Sequence, residues 1–223
     1  MTKLEQEENN MFKIFTILVM TLNLFLLFPT SVLAQSKIDK QAIKYYSEGT
    51  RYSEQGKVED AITAFKKALE IDPNYADAHY NLGKTYHQKA ALANDVNPDQ
   101  MSSKGSPKQK YKPKWDKGLV ELNLALKEFQ ELVRLQPKAA DAFSMLGLIY
   151  HNKGEYDEAI KFNNRAIELD PTGLDGQDSR HDIALIYFYV QGKKKEAIQL
   201  LNQNLKVNPN HAFSRQLLKV IGE

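Results

Sequence analysis

The 223-residue chain contains no cysteine. That absence excludes disulfide bonds, thiolate metal sites and cysteine nucleophiles together. It is compatible with an oxidising exported location, where an unpaired thiol is a liability, but it does not identify a compartment. The sequence also has no glycine-rich phosphate loop, no zincin histidine pair and no Gly-x-Ser-x-Gly elbow. We therefore predict a protein that is not an enzyme and that needs no cofactor.

Charge of one sign is not in large excess either. The chain has 30 Lys and Arg residues against 28 Asp and Glu residues, a formal net charge of +2. A balance of this kind favours neither a nucleic acid nor a strongly anionic partner for the protein as a whole. We expect no nucleic acid and no small-molecule substrate.

What the sequence does have is one helical motif that occurs four times, with its marker residues at constant positions relative to one another. An alanine and a proline mark each occurrence, and both columns are separated by 64, 34 and 38 positions: Ala61, Ala125, Ala159 and Ala197, with Pro73, Pro137, Pro171 and Pro209. A glycine column, Gly49, Gly83 and Gly147, is spaced by 34 and 64. The unit is therefore 34 residues, with about 30 extra inside the second unit and about 4 before the fourth.

The residue types in these columns have physical reasons. Small residues such as Gly83 and Ala125 let two helices cross closely, and aromatic residues such as Phe65 and Phe129 fill the space around the crossing. Proline ends the second helix, because it disfavours helical geometry in the residue before it and supplies no N–H. Since one helix pair cannot bury its apolar face, the pairs are expected to stack.

From about Ala42 to Pro209 the chain resembles the tetratricopeptide repeat (TPR) family. The resemblance implies an all-α, right-handed superhelical solenoid of about four helix-turn-helix repeats followed by a C-terminal capping helix. The chain departs from the family pattern at Asn163, where an aromatic residue is usual, and at Leu185, where a glycine is expected. The predicted segments are repeat one at 42–75, repeat two at 76–138 with an insertion at about 94–118, repeat three at 140–173, a degenerate repeat four at 178–210 and the capping helix at 211–221.

The resemblance also implies a partner-binding groove, the concave surface lined by the first helix of each repeat. The residues predicted to line it are Tyr46, Thr50, Tyr80, Lys84, His87, Ser144, Leu148, His151 and Tyr189. The alternative is that these faces are only exposed to solvent. His87 and His151 fall at equivalent places in neighbouring repeats, but no third ligand stands beside them at helical spacing, so we predict no metal site.

One specific partner class is rejected on the sequence. TPR domains that grip acidic chaperone tails resemble one another in a clamp of Lys, Asn and Arg residues. The matching positions here are Tyr46, Thr50, Asn81, Asp141 and Met145. Only Asn81 agrees with the clamp, so we do not expect chaperone-tail binding.

The insertion in the second repeat is rich in lysine. Ser102 to Lys117 holds six lysines and one acid, together with the only tryptophan. One interpretation is a flexible arm that contacts an acidic protein or anionic lipid headgroups. The residues of this candidate site are Lys104, Lys108, Lys110, Lys112, Lys114 and Trp115. The alternative is a solvated loop, with Trp115 packed on the following helix.

The N-terminus has the pattern of a secretory signal peptide, residues 1–34. Ile14 to Phe28 is apolar, and Val32-Leu33-Ala34 offers small residues where a signal peptidase reads. Residues 1–10 are acidic, and a start at Met11 gives a more ordinary signal. A spanning helix needs about 20 apolar residues, so we favour cleavage near Ala34 and a periplasmic, lumenal or secreted protein. The alternative is an uncleaved anchor at residues 14–28.

Together these features predict an exported scaffold that binds a segment of another exported or membrane protein, with a role in complex assembly. Two alternatives are carried with it. One is a peripheral membrane-associated structural protein, held by the uncleaved anchor or by the Lys-rich insertion. The other is a non-catalytic subunit of an enzyme complex.

The signal-peptide interpretation gives a first prediction. We expect the protein isolated from its native host to begin at or near Gln35, because the small residues that precede it suit signal peptidase. Mass spectrometry of the intact protein and of its N-terminal peptide measures this directly. A protein that retains residues 14–28 would contradict cleavage and favour the anchor.

Overall fold

The structure is a computed structural model, and it describes residues 39–94 and 114–222. Within these ranges the regular secondary structure is helical. The helices, numbered in chain order, are α1 (Lys40–Glu54), α2 (Val58–Ile71), α3 (Ala76–Ala93), α4 (Leu119–Leu135), α5 (Ala140–Lys153), α6 (Tyr156–Leu169), α7 (Leu174–Leu185), α8 (Lys194–Val207) and α9 (Ala212–Ile221). A π-helical turn, Ile186–Val190, continues α7.

Helices that are neighbours in sequence pack in pairs, and the pairs stack. The pairs are α1 with α2, α3 with α4, α5 with α6 and α7 with α8, and α9 packs against α8. Each second helix also contacts the first helix of the next pair. This arrangement confirms the predicted all-α solenoid of stacked helix pairs.

The glycine column marks a close crossing inside each of the first two pairs. A Cβ atom added at Gly49 would lie 2.6 Å from the Phe65 ring, and one added at Gly83 would lie 2.8 Å from the Phe129 ring. Both rings are fully buried. The glycines are therefore needed because an aromatic ring occupies the place where their side chain would stand.

The third pair has a different filler at the same crossing. Asn163 lies against Gly147 and is buried. Its Nδ2 donates a hydrogen bond of 2.6 Å to Asp182 Oδ2 on α7. The asparagine that departs from the repeat pattern thus links the third pair to the fourth.

The fourth pair differs in length as well as in sequence. The glycine column falls on the eighth residue of α3 and of α5, whereas Leu185, in the same column, is the twelfth residue of α7. The four residues that separate repeats three and four in the sequence pattern therefore form one additional helical turn, Leu174 to Gln177. Because of this turn, α7 begins four residues before the predicted start of repeat four.

The ends of the insertion are closed by one side chain. Asn94 Nδ2 donates to Ala90 O at 2.9 Å and to Lys117 O at 2.7 Å. Asn94 Oδ1 accepts from the backbone N–H groups of Asp116 and Lys117, both at 3.1 Å. Gly118 follows with a φ of +69°, and a Cβ there would lie 2.7 Å from Ala90 Cα. The chain therefore leaves and re-enters the solenoid at a fixed point.

Trp115 is part of this closure. Its ring stacks on His87 of α3, with centroids 5.2 Å apart and planes at 24°. Its backbone N–H donates to Asn152 O at 2.7 Å, and only 3% of the residue is exposed. Trp115 therefore packs into the core between the second and third pairs, in one cluster with Leu122 of the helix that follows the insertion.

The close crossing at Gly83 predicts that a single added methyl group lowers the stability of the fold. We expect Gly83→Ala to destabilise the fold by about 1–3 kcal/mol, because the buried Phe129 ring must move. Urea unfolding measures the change in the free energy of unfolding. The control is Lys84→Ala at the exposed next position, which should change it by less than about 0.5 kcal/mol. An equal effect of both variants would contradict a tight crossing.

The closure of the insertion predicts a spectroscopic result. As the only tryptophan, Trp115 should give blue-shifted fluorescence that acrylamide quenches weakly, since the ring is buried. Asn94→Ala should shift the emission to the red and increase quenching, because the hydrogen bonds that fix residues 116 and 117 are lost. Asp116→Ala, which changes only an exposed side chain, is the control. Wild-type quenching like that of free tryptophan would contradict the packing.

Candidate partner-binding groove

The residues predicted to line the groove lie on the first helices, but they differ in exposure. Lys84 and Tyr189 are exposed. Five others are partly buried: Tyr46, Thr50, Tyr80, Ser144 and Leu148. Their role in partner contact stays a prediction.

Tyr46 is engaged between the first and second pairs. Its hydroxyl accepts a hydrogen bond from Asn81 Nδ2 at 2.9 Å. Its ring lies 4.9 Å from the Tyr75 ring and 5.9 Å from the Phe65 ring, measured between centroids. Asn81, the residue that agreed with the chaperone-tail clamp, is therefore bonded to Tyr46.

Tyr80 and Lys84 stand together on α3. The Tyr80 ring meets Phe129 edge-on at 5.9 Å, and Lys84 Nζ lies 5.3 Å from the Tyr80 centroid. Burial raises the pKa of Tyr80, and the nearby carboxylates Asp141 and Asp175 raise it further. The two carboxylates belong to α5 and α7, so Tyr80 faces the surface that these first helices share.

His87 and His151 are corrected by the structure. Both are buried, at 7% and 4% exposure, so neither ring is presented to a partner in the groove. His87 Nε2 lies 3.0 Å from Asn152 Nδ2, and its ring is covered by Trp115. Burial lowers the pKa of His87 to about 4, so this imidazole is neutral at pH 7. The repeat pattern placed His87 on a first helix, but it could not show that the Trp115 ring covers this histidine.

His151 belongs to a buried polar cluster. Its Nδ1 is hydrogen-bonded to Asp182 Oδ1, while Asp182 Oδ2 accepts from Asn163. The three side chains come from α5, α7 and α6, and all are buried. The cluster therefore fixes α7 against the third pair. A buried carboxylate is tolerated here because both of its oxygens have partners.

A pocket opens on the groove beside this cluster. It has a volume of about 460 Å³. We call it the C-terminal pocket, and its lining is Leu148 from α5, Leu174, Asp178, His181, Asp182 and Leu185 from α7, Asn208, Asn210 and His211 from the α8–α9 connection, and Ala212 and Phe213 from α9. Most of the lining thus comes from the first helices α5 and α7 and from the capping helix α9.

The additional turn of α7 helps to build this pocket. Leu174 lies in that turn, lines the pocket and is 71% exposed. Gly176 makes the turn fit, because a Cβ there would collide with the carbonyl oxygen of Asp170. Of the predicted lining residues, Leu148 alone belongs to the pocket, and Leu174, Asp178, His181 and Phe213 were missed. The signal for Leu174 was the four-residue offset before the fourth repeat.

The lining of the pocket contains carboxylates but no Lys or Arg among its described residues. The Asp178 side chain is 61% exposed, and its Oδ1 lies 3.8 Å from His211 Nε2. Burial raises the pKa of Asp175 to about 6, with contributions from the carboxylates of Asp141, Asp170 and Asp178. Burial also lowers the pKa of His181 to about 4, so this ring carries no positive charge at pH 7.

Only two residues of the Lys-rich candidate site, Lys114 and Trp115, lie within the described residues. Lys104, Lys108, Lys110 and Lys112 lie outside the described residues. Lys114 is exposed, and its aliphatic stem lies against Gly154. The assignment of Trp115 to a partner-contacting arm is corrected, because the ring is buried against His87.

Two further findings concern the described ranges alone. Between residues 39 and 94 and between 114 and 222, His, Asp and Glu side chains do not gather in threes in a way that could hold a metal ion. In those same ranges no helix is long and apolar enough to cross a bilayer. The apolar stretch at residues 14–28 lies outside them.

Comparisons with known proteins agree with the repeat architecture. Residues 49–89 match the TPR repeat family model, and residues 140–172 match the tetratricopeptide repeat model. Superkiller protein 3 of Schizosaccharomyces pombe is 32% identical over 159 residues, which is 65% of this chain and 11% of that protein. The chain therefore spans about a tenth of the length of this relative.

Solved structures share the fold at low sequence identity. The crystal structure of MamA protein has a TM-score of 0.60 and 22% identity, covering 81% of this chain and 80% of MamA. The first TPR of Spaghetti (RPAP3), bound to an HSP90 peptide, has a TM-score of 0.51 and 19% identity, covering 69% of this chain and 97% of that one. The chain therefore contains tetratricopeptide repeats at residues 49–89 and 140–172, and the described residues share the stacked-helix fold of the solved structures.

Proposed function

We propose that this protein is an exported TPR scaffold that holds a segment of another exported or membrane protein in its groove, during the assembly of a complex. Its chemistry is binding alone. The observation that carries the proposal is the C-terminal pocket, an opening of about 460 Å³ between the first helices α5 and α7 and the capping helix α9. This volume falls in the range of about 300–1,000 Å³ that is usual for ligand-binding pockets.

The composition of the pocket supports a binding role. Leu148, Leu174 and Phe213 give it apolar walls, and Asp178 places a carboxylate at its edge. Leu174 is 71% exposed, which is high for a large apolar side chain. Burying such a side chain against a partner is favourable by about 25 cal/mol per Å² of apolar surface.

A relative with this fold gives further support. The TPR domain of Spaghetti (RPAP3) is bound to an HSP90 peptide, so a stack of this kind can hold a peptide. The identity of that peptide is not transferred to this chain. Tyr46 and Asp141 stand where the chaperone-tail clamp has basic residues, and Asn81 is hydrogen-bonded to Tyr46 within the solenoid.

Export is the part of the proposal that rests on sequence alone. Its support is the apolar stretch from Ile14 to Phe28 and the small residues that end at Ala34. Both lie outside the described residues. If the protein is exported, its partner must be exposed on the same side of the membrane.

A second candidate function is attachment to a membrane surface. Three apolar side chains are exposed beside the Lys-rich insertion: Leu92 at 50%, Leu119 at 41% and Val120 at 68%. Exposed apolar groups beside a lysine-rich segment fit an anionic lipid surface. Leu174 and Val120 are matched in exposure, and Leu174 lines the pocket whereas Val120 does not, so they can separate the two functions.

The test is photocrosslinking in the native host. A photoreactive residue at Asn210, which is exposed and lines the C-terminal pocket, should capture one protein partner. Leu174→Asp should abolish the capture, because a carboxylate replaces the apolar wall of the pocket. Mass spectrometry identifies the captured protein, and circular dichroism checks that the variant folds.

Val120→Asp is the matched control. It should leave the captured partner unchanged, since Val120 is on the second helix α4 and does not line the pocket. Loss of capture in both variants would point to a general defect and contradict the groove. If Val120→Asp instead releases the protein from membranes while Leu174→Asp has no effect, the membrane function replaces the scaffold.

A further inference from the structure

The C-terminal pocket combines two properties that together restrict its occupant. Its walls are apolar, with Leu148 and Leu185 on one side and Phe213 on the α9 side. Its edge is acidic, because the carboxylate of Asp178 lines the pocket and is 61% exposed. An occupant must satisfy both the apolar surface and the negative charge.

We propose that the pocket binds a partner segment in which an apolar side chain is flanked by Lys or Arg. The apolar side chain enters between Leu174 and Phe213, and the flanking cation lies beside Asp178. This inference rests on the proposed groove binding and adds the chemical class of the partner. It is opposite in charge to an acidic chaperone tail.

The apolar part of the inference follows from the fold of α7. The additional turn raises Leu174 at the edge of the pocket, where solvent contacts 71% of it. Leu148 and Leu185 are partly buried in the same lining. An apolar side chain that enters here removes water from all three leucines at once, which is the main source of binding energy at such sites.

The preference for a cation follows from the carboxylates, because the described lining has no Lys or Arg to neutralise them. Asp178 lines the pocket with a side chain that is 61% exposed. Three residues earlier in α7, burial, together with the charges of Asp141, Asp170 and Asp178, raises the pKa of Asp175 to about 6. Asp182 is already bonded to His151 and Asn163. A cation brought by the partner relieves the remaining repulsion, whereas an anion increases it.

The basic side chains near the pocket do not remove this charge. Arg180 is buried and donates to Asn204 Oδ1 at 2.9 Å and to the carbonyl of Pro171. His211 is held at the start of α9, with Nδ1 2.7 Å from Ser214 Oγ, and burial lowers its pKa. Arg215 of α9 donates at 3.2 Å to Oδ1 of Asn210, a neutral lining residue, and Lys84 lies on α3. The acidic edge therefore remains for a partner.

The test uses two fluorescent capped peptides of seven residues, one with Lys-Leu-Lys at its centre and one with Glu-Leu-Glu. Fluorescence anisotropy with the full-length protein measures both affinities at low salt. We expect the Lys-Leu-Lys peptide to bind about tenfold more tightly, because an attractive contact with Asp178 replaces a repulsive one. Equal binding, or a preference for the Glu-Leu-Glu peptide, would overturn the inference.

Variants locate the effect. Asp178→Lys should weaken the Lys-Leu-Lys peptide about tenfold, and Asp178→Asn by a smaller factor, because the side chain is largely exposed. Leu174→Ala should weaken the peptide about threefold or more, since part of the apolar wall is lost. Val120→Ala, matched to Leu174 in exposure, should have no effect. Unchanged affinity in both Asp178 variants would contradict the assigned cation contact.

Two other outcomes separate this inference from the proposals around it. If the peptide binds only after residues 102–112 are deleted, the protein's own Lys-rich segment occupies the pocket, and the inference of an external partner fails. If Leu174→Asp abolishes photocrosslinking in the host but the peptides show no charge preference, groove binding stands and the assigned partner class is wrong.

Discussion

The close crossing of the two helices in each repeat is the constraint on which the rest of the structure depends. A buried ring, Phe65 or Phe129, fills the space that a side chain at Gly49 or Gly83 would need. This contact sets the distance between the helices of a pair. Because each pair leaves an apolar side exposed, the fixed pair geometry then determines how the next pair stacks and where the first helices form a common groove.

The C-terminal half satisfies the same constraint with different chemistry. At the third crossing Asn163 replaces the ring and bonds to Asp182, which also binds His151. Polar contacts depend on direction more than apolar contacts do, so this cluster fixes the orientation of α7. The additional turn of α7 then places Leu174 and Asp178 at the edge of the C-terminal pocket. The departures from the repeat pattern and the candidate site are therefore parts of one local arrangement.

Sequence reasoning found the repeats and their paired helices, because the alanine, glycine and proline columns reflect local requirements of helix crossing and helix ending. It misassigned His87, His151 and Trp115, which are buried. Helical periodicity shows which face of a helix a residue occupies, but not whether a distant segment covers that face. Trp115, re-entering after the insertion, covers His87, and Asp182 from the next pair binds His151. Both contacts are between residues far apart in sequence.

The sequence by itself determined the all-helical repeat architecture, the position of the insertion, and the lysines concentrated within it. These are local properties, since spacing, helix-breaking prolines and charge can be counted along the chain. Only the tertiary structure decided that Asn94 closes the insertion and that the extra four residues form a turn of α7. It also decided that Leu174, Asp178 and Phe213 share one pocket. Such juxtapositions depend on how successive pairs stack, and stacking distances and angles are set by side-chain packing across the whole interface.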